Sequence, residues 1–184
     1  MPLAPVSSSR KPLHVRSIQV QAFERDDGLL DLEAHLTDVK PFDVPLTAGV
    51  RPAGQPVHDM WLRVTIDMQF DVVAVEACSD SVPYTGYCET IGPAYRKLVG
   101  ANLLKGFRNA VKDRMGATHG CTHLSELTAV LPTAAVQALA GRLRRAGAQA
   151  RPFQIDRCHA LASDGAAVAR YYPQWYRNKQ EATR

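Results

Sequence analysis

Leu30-Asp31-Leu32-Glu33-Ala34-His35-Leu36-Thr37-Asp38 alternates apolar and polar side chains. Successive strand residues point to opposite faces, so Leu30, Leu32, Ala34 and Leu36 face one way and Asp31, Glu33, His35 and Thr37 the other, as in a half-buried strand. Just before it, Arg25-Asp26-Asp27-Gly28 supplies Asp-Gly, a hairpin signal because glycine accepts a positive φ, and Val15 to Phe23 alternates tolerably on the far side. Downstream, Met60, Leu62, Val64, Ile66 and Met68 form one face of a third strand, with Trp61, Arg63, Thr65 and Asp67 on the other, and the Val-rich stretch Val72 to Cys78 returns. Pro41 to Pro56, with four Pro and two Gly, is expected to be an irregular loop. Two hairpins predict an antiparallel meander of about four strands with one face to cover.

The remainder of the chain is helical in pattern. Pro93 to Val99 fits a short helix stopped by Gly100, and Leu103 to Met115 carries Leu103, Leu104, Phe107, Ala110, Val111 and Met115 along one stripe. Thr122 suits a helix cap ahead of Leu124, Leu127 and Leu131, and Pro132 is expected to kink or restart that helix before Ala134 to Arg145. Strands first and helices after indicate an α+β fold with the helices covering one face of the sheet. The expected organisation is a flexible lead-in over 1–13, a single α+β domain over 14–177 and a basic tail over 178–184. No internal repeat is present.

Of the 184 residues, 46% are hydrophobic and 22% charged, which suits a globular chain able to build a core without staples. The net charge of +4 is uneven: Gly141 to Arg184 holds nine Lys/Arg against three Asp/Glu. Such a segment suits nucleic acid, an acidic partner or an anionic ligand, but a solvated helix face and tail is the favoured reading. No stretch approaches the roughly 20 apolar residues of a membrane span. Met1 to Leu13 has no apolar signal core, and four cysteines do not make a disulfide framework, so reduced thiols and a cytoplasmic location are expected.

Gly120-Cys121-Thr122-His123-Leu124 is the segment richest in chemistry. A helix start favours an anion, so Cys121 there is a candidate metal ligand or nucleophile, with His123 two residues on and His119 two before. Cys88 lies between the last strand and Pro93, and Cys158 and His159 are adjacent. Adjacent residues point apart on any regular element, which makes one of that pair the easier ligand. Cys78, in step with Val72, Ala74 and Glu76, reads as a core thiol. If the second and third strands pair, His35 and His58 approach one another; the alternative for each is a surface histidine. Tyr171-Tyr172-Pro173-Gln174-Trp175-Tyr176 concentrates four aromatics, expected to pack inward rather than form an exposed surface. There is no G-x-S-x-G, Gly-rich phosphate loop, H-E-x-x-H or dinucleotide fingerprint.

Several segments taken together resemble a bacterial family catalogued as domain of unknown function 2889. They are Arg25 to Leu29, Glu33 to Asp38, Val57 to Arg63, Gly120 to Leu124, Asp156 to Ala160 and Tyr171 to Pro173. The resemblance runs from Val15 onward and implies no activity. More distantly, His58 to Leu139 is similar in layout to iron–sulphur scaffold proteins of the IscU/NifU type. That similarity implies Cys88 as the first scaffold cysteine, Cys121 as the late one, and His119 or His123 near the scaffold histidine. The middle scaffold cysteine has no counterpart between Cys88 and Cys121, and Gly120 stands where the scaffold has its histidine.

Three functions are compatible with these residues. The first is a metal-binding carrier or metal-dependent enzyme, with zinc or iron on Cys88, Cys121 and His123 and with Cys158, His159 or Asp80 completing the sphere. The second is a non-catalytic module that holds a protein or nucleic acid through its basic aromatic C-terminal segment. The third is a metal-free thiol enzyme with Cys121 as nucleophile and His123 or His159 as base. Substrate, small-molecule partner and any homo-oligomer are left open.

Overall fold

The computed structural model of the chain describes residues 3–146 and 150–178, with the backbone alone over 143–146. It divides into two compact units, Met1–Ala138 and Leu139–Arg184. Of the expected basic tail only Asn178 is described; Lys179, Glu181 and Arg184 lie outside the described residues.

The first unit is an antiparallel four-stranded sheet packed against helices. Strands β1 (Val15–Glu24) and β2 (Leu30–Val39) form the first hairpin. Its turn holds Gly28 at φ 83°, where a side chain would be strained. Pro41 to Pro56 is not wholly irregular: β3 (Val44–Leu46) and β4 (Gly49–Arg51) pair into a short separate ribbon. Pro45 is tolerated because this two-stranded ribbon is all edge, so a strand without its N–H loses no central ladder bond.

Strands β5 (Pro56–Ile66) and β6 (Val72–Ser81) complete the sheet in the order β1-β2-β5-β6, the meander that alternation predicts. Met68 falls outside β5 and is exposed. On β2, Leu30, Leu32, Ala34 and Leu36 are buried, as are Met60, Leu62, Val64 and Ile66 of β5. At roughly 1.5–3 kcal/mol for each large side chain removed from water, this face is what drives the sheet onto its helices.

Strand β6 departs from simple alternation through an inserted residue. Ile66 pairs with Val72 but Thr65 pairs with Ala74, so Val73 is an extra residue in β6. That bulge reverses the parity of the rest of the strand. Val75 is buried, while Cys78 stands exposed opposite Trp61 on the outer face. Cys78 is therefore not the core thiol that plain alternation predicts.

After β6 the chain runs as successive 3-10 turns over Cys88–Leu98, ended by Gly100 at φ 80°. Gly92 lies where a Cβ would sit 2.5 Å from the Ala77 carbonyl oxygen, so only glycine lets this segment close on β6. Helix α1 (Phe107–Met115) starts later than its stripe implies because Gly106 turns the chain at φ 69°, and Leu104 is left exposed. Helix α2 (Thr122–Ala146) runs unbroken through Pro132. Leu124, Leu127, Leu131 and Ala135 form its buried stripe in the first unit.

In the second unit, Ile155 and Val168 are buried. Asp156 organises the loop there: its Oδ1 accepts from the Ser163 amide at 2.7 Å, and its carboxylate pairs with Arg151. Helix α3 (Ala166–Tyr171) comes next. Tyr171 and Tyr176 are exposed and Tyr172 and Trp175 half-buried, so the aromatic cluster is only partly packed.

Candidate metal centre

Arg16 pairs with Asp38, and Asp38 with His58, making one row across β1, β2 and β5. Asp38 continues the parity of Leu30 to Leu36, and His58 that of Met60 to Ile66, so both belong to the core-facing side. Above the row stands the first turn of α2. Tyr95, itself fully buried, fixes that turn: its hydroxyl accepts the Cys121 amide at 3.0 Å, donates to the Cys121 carbonyl at 2.8 Å and lies 2.9 Å from Ser125 Oγ. The Cys121 carbonyl also accepts the first α2 amide, from Ser125, at 2.9 Å. His123 is thereby aimed at the sheet, and its ring stacks on His58 with centroids 3.8 Å apart and planes 29° apart.

Asp38 is the hub, with its side chain 6% accessible. Its Oδ1 accepts from Arg16 Nε at 2.8 Å and lies 2.7 Å from His14 Nε2. Its Oδ2 accepts from Arg16 Nη2 at 2.7 Å, lies 3.0 Å from His58 Nδ1 and is 3.6 Å from His123 Nε2. Arg16 Nη1 reaches on to Glu126, three residues along α2 from His123. One oxygen therefore bonds the His58 imidazole and faces that of His123, and the other bonds His14.

These environments set the charge states. Burial works to raise the Asp38 carboxyl, but hydrogen bonds from Arg16 and His14 and the charges of Arg16 and His58 outweigh it and hold the group well below the usual carboxylate range. Burial lowers His58, helped by the neighbouring His123 and opposed by Asp38. Burial likewise lowers His123, helped by Arg16 and opposed by Asp38 and Glu126. Near neutral pH the site thus presents an ionised carboxylate and two neutral imidazoles.

Donor atoms of Asp38, His58 and His123 lie within 4.8 Å of one another, and among the described residues no other His, Cys, Asp or Glu side chains gather into such a group. Three donors of this type could hold a transition metal ion.

Of the residues proposed from sequence, His123 belongs to this group. Cys121 Sγ sits 3.8 Å from His123 Nδ1, on the ring edge away from the atom facing Asp38. Cys88 opens the 3-10 segment and is half-buried, outside the group. Asp80 is exposed near the end of β6. Cys158 and His159 belong to the second unit, beside an open pocket with Asp156, Arg157 and Ala162.

His35 does not approach His58. The two lie on opposite faces, and His35 stacks on Trp61 at 3.8 Å and 7° and bonds Asp59 at 2.6 Å. Asp38 and His58 were discoverable as polar residues in phase with an apolar face at the ends of neighbouring strands. His123 had only its helix-start position, and Arg16 had no signal without the β1–β2 register.

Residues 14–137 match the family described as "Protein of unknown function (DUF2889)". The chain belongs to that family. No curated protein and no solved structure matches it, so no structural neighbour supports the similarity to iron–sulphur scaffold proteins. The DUF2889 match contains the whole cluster from His14 to Glu126, whereas Cys158, His159 and the Tyr171-Tyr172-Pro173 segment fall beyond it. No described helix of this DUF2889 protein is long and apolar enough to cross a membrane.

Proposed function

We propose that this DUF2889 protein binds one divalent transition metal ion, zinc or iron(II), through Asp38, His58 and His123. The supporting observation is the convergence of three donor atoms from β2, β5 and α2 within 4.8 Å of one another, in the charge states ligation needs. Two imidazoles and a carboxylate are the donor set of mononuclear zinc hydrolases and of non-haem iron(II) oxygenases. Three protein donors leave a tetrahedral ion one position for water or a substrate, and an ion so held acidifies water or polarises a carbonyl. This reading favours a metal-dependent enzyme over a closed structural site.

Metal analysis of protein purified without a histidine tag tests it. About one equivalent of zinc or iron is expected, falling by about tenfold or more when His58→Ala and His123→Ala are combined. Cys88→Ser and Cys158→Ser are expected to leave the content unchanged. Less than about half an equivalent in the parent protein, including after anaerobic handling, defeats the reading.

A second reading has its own observation. Cys121 Sγ, His123 Nδ1, His123 Nε2 and Asp38 Oδ2 succeed one another with gaps of 3.8 and 3.6 Å, in the order nucleophile, base and orienting carboxylate. It requires Cys121, half-buried, to alkylate faster near neutral pH than exposed Cys158. The metal reading requires no such preference.

A further inference from the structure

We propose that Arg16 is the resident cation of the Asp38 centre, and that metal occupancy hands it over from Asp38 to Glu126. The inference rests on the metal reading above and adds what sets the affinity. Arg16 holds Asp38 as a fork, with Nε on one oxygen at 2.8 Å and Nη2 on the other at 2.7 Å. A metal ion taking Asp38 Oδ2 meets that same guanidinium as a like charge at short range, beside a carboxylate that is only 6% accessible. It therefore binds as a competitor of Arg16.

The structure already contains the other end of the exchange. Nη1 of the same guanidinium bonds Glu126 on α2, so Arg16 bridges two carboxylates from different elements. Glu126 is 45% accessible and Arg16 31%, against 6% for Asp38. Strand β1 is exposed at every residue but Val20, so the Arg16 guanidinium lies at the solvent edge of the site rather than beneath it. His14 Nε2, 2.7 Å from Asp38 Oδ1, holds that oxygen after Arg16 leaves and keeps Oδ2 turned to the two imidazoles. Asp38 thus stays compensated in both states, by Arg16 before the exchange and by the ion after it. A buried carboxylate needs such continuity, because an uncompensated one is costly.

Zinc dissociation constants, read by competition with a chromogenic chelator, test the exchange on the full chain, with circular dichroism checking the fold of each variant. Arg16→Met is expected to tighten zinc by about tenfold or more, since it removes the competitor. Arg16→Lys keeps the charge but cannot form the fork, so it is expected to tighten zinc by less; it answers the same question should R16M not fold. Glu126→Gln is expected to weaken zinc several-fold, and this effect is expected to shrink in the R16M background, where no guanidinium needs a new partner.

R16M or R16K binding no tighter than the parent, while the parent still needs His58 and His123, would overturn the exchange and leave the metal site standing. An E126Q effect that is the same with and without Arg16 would also overturn it. Zinc affinity indifferent to His58→Ala and His123→Ala would remove the site itself, and the exchange with it.

Discussion

Asp38→Asn is the most direct test of the hub. The substitution preserves volume and changes only what the side chain offers to its neighbours. Four nitrogens point at the two carboxylate oxygens within 2.7–3.0 Å: Arg16 Nε and Nη2, His14 Nε2 and His58 Nδ1. An asparagine keeps one acceptor oxygen and puts an NH₂ group, itself a donor, against the rest.

Hydrogen bonds to a charged group contribute about 1.5–3 kcal/mol each when buried. Arg16 and His14, at 31% and 34% accessible, recover water on losing Asp38, so their share must be cut. What remains is a loss of about 2–4 kcal/mol. For a chain of this length that lowers the melting temperature by about 5–15 °C, which calorimetry or a circular dichroism melt resolves. Replacing both partners by apolar groups, Asp38→Leu with Arg16→Met, is expected to recover most of the loss, because neither charge is left stranded. A shift below about 2 °C for D38N would show that the carboxylate is not the organising group.

Acidification should destabilise the fold in two stages. His58 and His123 are held below 6.5, so under that pH the unfolded chain binds more protons and stability declines. Asp38 is held below its unfolded value, so its contribution is complete above about pH 4 and is lost as pH falls through the folded value. Urea midpoints that rise between pH 7 and 5.5 would contradict the histidine environments. Gly92→Ala forces a Cβ to within 2.5 Å of the Ala77 carbonyl oxygen and is expected to cost about 1–3 kcal/mol, measured by urea unfolding. Tyr95→Phe strips the Cys121 amide of its acceptor at 3.0 Å. It is expected to cost about 1–3 kcal/mol and to weaken metal binding at His123; unchanged zinc affinity would show that Tyr95 does not position the α2 start.

The sheet could be read from residue order because its information is local. Alternation along Leu30 to Asp38 and Met60 to Ile66 reports a half-buried strand without knowledge of any neighbour, and Asp27-Gly28 reports the turn between β1 and β2. Features that depend on one inserted residue or a short pairing are invisible to such alternation. The Val73 bulge carried Cys78 to the outer face, and the β3–β4 ribbon formed inside a Pro-rich stretch.

Membership of DUF2889 was also visible in the linear pattern, and His123 was among the candidate ligands read from it. The donor set was not. Arg16, Asp38, His58 and His123 are brought together by strand register and by the docking of α2, and a slip of one residue in any pairing would point a different side chain inward. Cysteines at helix mouths drew attention because thiols stand out in a linear sequence. The folded chain instead converged a carboxylate and two imidazoles, since those were the polar groups in phase with the buried face where three strands meet a helix start.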